Sequence, residues 1–155
     1  MPILNVPSPI GRLTLEEIDG AIVRLGWDDA PDDAPSAITP LLREAGRQLT
    51  AYFNRDLTDF DLPLAPDGSA YRKRVWRAMD LIPYGETCTY GELAQAAETV
   101  PRAVGGACGA NPIPVILPCH RVVAANGGPG GYSGKGGLRT KSALLDIENR
   151  TSRLL

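Results

Sequence analysis

The stretch Thr89–Asn111, TYGELAQAAETVPRAVGGACGAN, contains two short helical segments on either side of a break at ETVP. The first segment begins near Thr89. The second has Thr99 and Pro101 as start signals, since proline favours the first position of a helix. A helix, a tight break and a second helix are the outline of a helix-turn-helix unit, and this outline predicts the fold of this part of the chain.

The second helical segment is rich in glycine, and this requires an explanation. Gly105, Gly106 and Gly109 each destabilise a helix by roughly 1 kcal/mol relative to alanine. One explanation is a close approach of this helix to another surface, such as a nucleic-acid groove. The other is tight packing against a neighbouring helix, which the stretch taken alone slightly favours.

The segments on either side extend the helical outline. Ser69 is a candidate cap for a basic helix. The apolar face of that helix is predicted to hold Tyr71, Val75 and Met79. Three prolines make residues 111–123, NPIPVILPCHRVV, extended and rigid, with short β segments predicted before and after the cysteine. A final amphipathic helix follows in residues 138–150, and its predicted buried positions are Leu138, Ala143, Leu144, Leu145 and Ile147.

The N-terminal part of the chain is typical of a small α/β lobe. The stretch IGRLTLEEIDGAIVRLGW (10–27) predicts a β-hairpin that turns at IDG. An acidic, proline-containing stretch at 28–38 predicts a surface loop. Apolar residues at helical spacing then predict an amphipathic helix with Thr39 as its N-cap and Pro40 at its first position.

Composition excludes several classes of protein. With 155 residues, 43% hydrophobic and 22% charged, the chain fits an ordinary globular domain or two small lobes. It has no apolar run of membrane-spanning length and no secretory signal, so a cytoplasmic location and no membrane partner are expected. Residues 1–68 carry a net charge of −7 and residues 69–155 a net charge of +5. A polyanion would therefore bind the C-terminal part, although two solvated surfaces of different charge explain the pattern equally well.

Three cysteines and one histidine limit the chemistry of the chain. The cysteines are Cys88, Cys108 and Cys119, and none forms a CxxC pair. An odd count with a single histidine argues against a disulfide framework and a zinc site, so no metal and no cofactor are expected. Cys88 and Cys108 have no adjacent histidine or basic cluster, and we interpret them as packing residues.

Cys119 differs from the other cysteines because the histidine, His120, follows it directly. Pro118 restricts the backbone, so the sulfur can be held in one position as a nucleophile requires. On an extended strand His120 would point to the opposite face, so a turn or a bridging water is needed for it to act as a base. The histidine also needs an orienting carboxylate, and Asp146 and Glu148 are both candidates.

Four stretches together resemble the O6-alkylguanine-DNA alkyltransferases: IPYGETCTYGELA, RAVGGA, NPIPVILPCHRVV and GYSGKGGL…K…LLDIE. The resemblance is strong over residues 69–148 and weaker in the first lobe. It implies an α+β protein with two parts. Residues 1–68 would form a small ribonuclease H-like α/β lobe, and residues 69–155 a mainly helical lobe of winged helix-turn-helix type that carries the active-site cysteine.

The resemblance also implies the roles of the site residues. Cys119 would accept the alkyl group from O6 of a damaged guanine, with His120 as a base acting through water, Glu148 orienting it and Asn111 bracing the turn. Tyr90 would favour extrusion of the nucleotide and protonate the departing guanine, while Tyr132 and Ser133 wall the base pocket. The glycine-rich helix would enter the minor groove, with Arg102 filling the gap left in the base stack. Further DNA contacts are implied at Ala103, Gly105 and Arg72.

The expected partner is double-stranded DNA containing O6-alkylguanine, with O4-alkylthymine as a second candidate lesion, bound by a monomer. Two other functions are considered. A non-catalytic binder of alkylated DNA would resemble this chain but would lack the reactive cysteine, and Cys119 is present. A Cys-His-Glu hydrolase would need an oxyanion hole and a deacylating water, and it would turn over repeatedly.

Overall fold

A computed structural model describes residues 2–27, 38–126, 128, 130–132 and 134–149. The chain divides into two compact units, Met1–Asp67 and Gly68–Leu155. Nearly all of the predicted acidic loop, and Ser133, lie outside the described residues. Among those described, no helix is both long and apolar enough to cross a membrane.

The first unit contains a three-stranded antiparallel sheet in the order β1 (Ile3–Val6), β2 (Leu13–Ile18), β3 (Ala21–Gly26). The predicted hairpin is β2–β3. Its turn residues, Asp19 and Gly20, both have positive φ angles of 50° and 80°, as a two-residue hairpin turn of type I′ requires. Strand β1 was not predicted, because four residues are too few to show an alternating pattern.

Helix α1 (Pro40–Phe53) packs on this sheet. Thr39 accepts a hydrogen bond from the Leu42 backbone N–H and Pro40 begins the helix, which confirms the predicted start. The packing distance is short at Gly46, where a Cβ would lie 2.9 Å from the Leu4 side chain. The buried face of α1 thus forms the core of the first unit.

The second unit is mainly helical: α2 (Ala70–Met79), α3 (Tyr90–Ala96), α4 (Pro101–Gly109) and α5 (Leu138–Glu148). A short parallel pair joins β4 (Cys88–Thr89) to β5 (Val122–Val123). Helices α3 and α4 form the predicted helix-break-helix. Thr89 caps α3 in a reciprocal capping box with Glu92, whereas the N-cap of α4 is Val100, one residue after the expected Thr99.

Two local predictions about this unit are wrong, those for Tyr71 and for residues 115–117, and the one for Ser69 is confirmed only in position. Ser69 occupies the N-cap of α2 but makes no side-chain capping hydrogen bond. Tyr71 is exposed, whereas Trp76 on the same helix is buried and its indole N–H donates to the Ala107 carbonyl at 2.8 Å. The predicted strand at 115–117 is a tight turn, in which the Leu117 N–H donates to the Ile113 carbonyl at 2.9 Å.

Helix α5 also differs from its predicted pattern. Leu138 is 47% exposed, whereas Leu144 and Ile147 are buried as expected. Two charged side chains of the helix, Lys141 and Glu148, are buried as well. Buried charges need partners, and both find them in the active site described next.

Candidate active site

A tight turn immediately before Cys119 fixes the position of its sulfur. Pro118 has φ −82° and ψ 64°, and the Cys119 N–H donates to the Leu117 carbonyl at 2.8 Å, which together form an inverse γ-turn. The Asn111 amide holds this turn from one side: its Nδ2 donates to the Leu117 carbonyl at 2.9 Å, and its Oδ1 accepts from the Ile113 N–H at 2.9 Å. Asn111 thus links the two ends of the turn between Ile113 and Leu117.

The backbone of the same loop is strained upstream of the turn. Val115 is buried and has a φ of 75°, a conformation that is rare for a β-branched residue. Such strain costs on the order of 1–3 kcal/mol and persists only where the surroundings impose it. The rigid approach to Cys119 therefore depends on packing as well as on its prolines.

Residues Cys119–Arg121 form one turn of 3-10 helix, not the extended strand considered from sequence. In a helical turn neighbouring side chains do not alternate between two faces, so His120 and Arg121 can both reach the same carboxylate on α5. That carboxylate is Glu148. Asp146, the other candidate, is exposed.

Glu148 accepts hydrogen bonds from two buried side chains. Its Oε2 lies 2.6 Å from His120 Nε2, and the Arg121 guanidinium donates to both carboxylate oxygens, at 2.9 and 3.1 Å. Arg121 also donates to the Ile82 carbonyl at 2.7 Å. Burial opposes ionisation of Glu148, but the hydrogen bonds from His120 and Arg121 outweigh it and lower its pKa from 4.5 to about 2.

His120 is therefore a neutral imidazole held in one tautomer. Complete burial lowers its pKa, although the hydrogen bond to Glu148 acts in the opposite direction. A neutral ring that donates from Nε2 to Glu148 keeps a free electron pair on Nδ1. Nδ1 is buried and has no hydrogen-bond partner among the described residues. It is thus available to accept a proton.

The Cys119 thiol is buried, and the Lys141 cation lies close enough to affect its ionisation. Burial raises the pKa of Cys119, while a hydrogen bond from Asn111 and the positive charge of Lys141 lower it. Lys141 is only 1% exposed, and its Nζ donates to the Val122 carbonyl at 2.6 Å and the Gly131 carbonyl at 3.0 Å. Lys141 therefore joins β5 to the loop before α5 and places its charge close to the nucleophile.

Cys119 opens into a cavity of about 290 Å³, which we call the Cys119 pocket; it is lined by Tyr90, Gly105, Cys108, Gly109, Cys119, Gly131 and Tyr132. Three of these lie on one face of α4, at positions 105, 108 and 109. A Cβ at Gly105 or Gly109 would meet no atom within 4 Å. These glycines are therefore not explained by tight helix packing, the alternative that the stretch alone slightly favoured.

Two tyrosines, Tyr90 and Tyr132, form part of the pocket wall. The Tyr90 hydroxyl accepts a hydrogen bond from the Gly131 N–H at 3.3 Å, so it holds the loop beside the pocket. The loop must have glycine at Gly130, which has a φ of 69° and where a Cβ would lie 2.7 Å from the Tyr90 hydroxyl. The Tyr132 hydroxyl is buried and has no partner among the described residues, and burial raises its pKa.

The remaining predicted DNA contacts lie away from the pocket lining. Arg102 is exposed at the second position of α4, beside the half-buried Ala103. Arg72 is half-buried on α2, and its Nε has no hydrogen-bond partner among the described residues. The structure thus joins Cys119, His120, Glu148, Asn111, Tyr90, Gly105 and Tyr132 in one site.

Sequence reasoning missed two buried cations of this site, Arg121 and Lys141, and it interpreted Cys108 on the pocket wall as a packing residue. Each cation lies in an otherwise apolar context: Arg121 precedes two valines, and Lys141 lies on the buried face of a helix. Both are charged residues at positions that the apolar pattern predicts to be buried, and this mismatch is the signal that identifies them.

The fold and the site define a class of protein that presents one cysteine nucleophile from a helix-turn-helix framework. Within this class the chain belongs to the 6-O-methylguanine DNA methyltransferase family. Residues 70–150 match the family's DNA binding domain, and residues 5–66 match its ribonuclease-like domain. The α+β architecture expected from sequence is confirmed.

Proteins from several organisms are similar to this chain over most of its length. A methylated-DNA–protein-cysteine methyltransferase of Mycolicibacterium paratuberculosis is 43% identical over 96% of this chain and 92% of its own. One from Methanosarcina acetivorans is 52% identical over 68% of each. The crystal structure of Mycobacterium tuberculosis OGT in complex with DNA is similar, with a TM-score of 0.82 and 41% identity over 95% of this chain and 92% of that one.

Proposed function

We propose that this protein repairs alkylated DNA by moving the alkyl group from O6-alkylguanine onto its own Cys119. The observation that carries the proposal is a buried thiol that faces a pocket and lies next to the buried His120–Glu148 pair. The relatives' name describes the same transfer, from methylated DNA to a protein cysteine. Residues 69–155 would hold the DNA-binding and transfer activities, and residues 1–68 a separate lobe.

The transfer needs a thiolate, which the buried site can generate. His120 Nδ1 takes the Cys119 proton through a water molecule, and Glu148 stabilises the resulting imidazolium through Nε2. The sulfur then attacks the alkyl carbon, a carbon–sulfur bond forms, and the carbon–O6 bond breaks. The electron pair stays on the guanine, which takes a proton from the Tyr90 hydroxyl at the pocket wall.

The damaged base must leave the stack to reach the thiol, since the alkyl carbon cannot be approached in line inside a duplex. Helix α4 fits this requirement, because its glycines leave open space on the face that lines the pocket. Arg102 at the exposed start of α4 would fill the gap in the stack, and Tyr132 and Ser133 would hold the extruded base. We propose that a monomer in the cytoplasm acts on duplex DNA in this way.

Mass spectrometry of the intact protein tests the proposed function. After mixing with a duplex containing O6-methylguanine, each molecule should gain one methyl group on Cys119 and then stop, because water does not break a thioether under mild conditions. The matched control is the same duplex with unmodified guanine, which should leave the mass unchanged. Repeated turnover would favour a hydrolase, and methyl groups on Cys88 or Cys108 would contradict the assignment of Cys119.

Two arginine variants separate gap filling from phosphate binding. We expect Arg102→Ala to slow repair in duplex by roughly 10-fold or more, since unstacking a base costs a few kcal/mol that the side chain offsets. In single strands the loss should be smaller, because an unstacked base leaves less of a gap. Arg72→Ala, the matched control, should instead weaken binding and reduce its salt dependence. Equal slowing of both substrates by Arg102→Ala would make Arg102 an ordinary electrostatic contact.

A further inference from the structure

The Cys119 pocket contains a second thiol that the alkyl-transfer mechanism does not use. Cys108 lies one helical turn after Gly105 on α4, and its side chain lines the same cavity of about 290 Å³ as Cys119. Both cysteines are free thiols. Cys88, by contrast, lines a different cavity, beside α2 and α3. Cys108 was expected to be a packing residue, but its position on the pocket wall gives it access to anything that enters the site.

The two thiols are brought together by the contacts that fix the turn before Cys119. The backbone N–H of Asn111 donates to the Cys108 carbonyl at 3.3 Å, and the Asn111 side chain donates to the Leu117 carbonyl at 2.9 Å. Asn111 thus joins the end of α4 to the residues that immediately precede Cys119. The charge of the Cys119 sulfur also contributes to the raised pKa of Cys108, as expected of two thiols within electrostatic range.

Cys108 is unsuited to be a nucleophile for alkylated DNA. Burial, with the neighbouring Cys119, raises its pKa to about 12, so it is a neutral thiol at physiological pH. A thiol does condense with a sulfenic acid to give a disulfide, and the oxygen that leaves as water takes up the thiol proton. Its position suits this second kind of chemistry.

We propose that Cys108 is a resolving thiol, which captures oxidised Cys119 as a reversible Cys108–Cys119 disulfide when a hydroperoxide enters the pocket. Cys119 sulfur first attacks the peroxide: a sulfur–oxygen bond forms, the oxygen–oxygen bond breaks, and the departing oxygen takes up the Cys119 proton and leaves as water or an alcohol. Cys108 sulfur then attacks Cys119 sulfur, the sulfur–oxygen bond breaks, and the oxygen leaves as water with the Cys108 proton. Two thiols are oxidised and one peroxide is reduced.

Such a disulfide would protect a residue that a stoichiometric protein cannot replace. Without a resolving partner, a sulfenic acid proceeds to sulfinic and sulfonic acids, which are not restored by simple thiols. A disulfide, by contrast, is reduced to the two free thiols by a dithiol reductant. The consequence for repair rests on the proposed function, whereas the oxidation itself does not.

The test compares the wild-type protein with Cys108→Ser and with Cys88→Ser as the matched control. Each is treated with hydrogen peroxide, then with dithiothreitol, and is compared with its own untreated sample. Peptide mapping under non-reducing conditions should show a Cys108–Cys119 link in wild type and in Cys88→Ser, with methyl acceptance recovered after reduction. In Cys108→Ser, Cys119 should appear as sulfinic acid and acceptance should be lost for good.

Two outcomes would overturn the proposal: absence of the linked peptide in wild type, or equal recovery of Cys119 in Cys108→Ser. Peptide mapping and thiol counting with iodoacetamide do not depend on alkyl transfer. If untreated wild type accepts no methyl group yet the linked peptide forms, the proposed function fails while the thiol pair stands.

Discussion

Cys119→Ser should lose alkyl transfer entirely, a fall of at least about 10⁴-fold, the order of loss seen when a covalent nucleophile is removed. The hydroxyl replaces the thiol with little change of volume, but it does not ionise at neutral pH, and a thiolate is the nucleophile that the reaction needs. Gel-based transfer of a radiolabelled methyl group from an O6-methylguanine duplex measures this loss directly.

Binding to the methylated duplex should survive the same substitution. Cys119 is only 5% exposed, so it offers little surface to the DNA, and the proposed contacts of α4 remain in place. Cys88→Ser serves as the control, since Cys88 is outside the pocket lining, and it should transfer at the wild-type rate. Residual transfer to the Cys119→Ser protein would mean that another nucleophile accepts the alkyl group.

The parts of the fold that sequence predicted are those with local causes. Thr39 and Pro40 start α1, and Thr89 with Glu92 starts α3, because capping depends on residues within one turn of each other. The turn at 115–117 could not be predicted in this way. Its β-branched Val115 takes a positive φ that intrinsic preference opposes, and only packing by residues distant in the chain can impose it.

The same distinction between local and long-range causes applies to the active site. The adjacent Cys119 and His120 suggested a nucleophile and its base, yet two carboxylates on α5 satisfied the pattern equally. The resemblance favoured Glu148, and the backbone path shows how it reaches His120: the chain makes a 3-10 turn, which was one of the two possibilities left open. Lys141 was missed for a related reason: its partners are carbonyls 10 and 19 residues away, which no local pattern shows.

Replacing the buried carboxylate of Glu148 is expected to have the second large effect on alkyl transfer. Glu148→Gln should slow alkyl transfer by about 10- to 100-fold, the range found when the partner that orients a metal-binding histidine is removed. The carboxylate oxygens of Glu148 accept every hydrogen bond that it makes with His120 and Arg121. A glutamine amide has only one accepting oxygen, and its nitrogen is a donor. At least one donor is left unpaired, so the His120 ring is held less firmly and its imidazolium loses the neighbouring negative charge. Single-turnover rates measured from pH 6 to 9 test this.

The same substitution should lower stability, because it leaves the Arg121 charge buried without a counter-charge, at a cost of roughly 3–5 kcal/mol. Glu148 has a lowered pKa, so its contribution is present above pH 4.5 and is lost as the pH falls towards 2. The difference in unfolding free energy between wild type and Glu148→Gln should therefore be largest near neutral pH and shrink in acid. Asp146→Asn, on the exposed side of α5, is the control and should change neither the rate nor this pH dependence. A Glu148→Gln protein with the wild-type rate would exclude Glu148 from proton transfer, and a pH-independent difference in stability would exclude its charge as the cause.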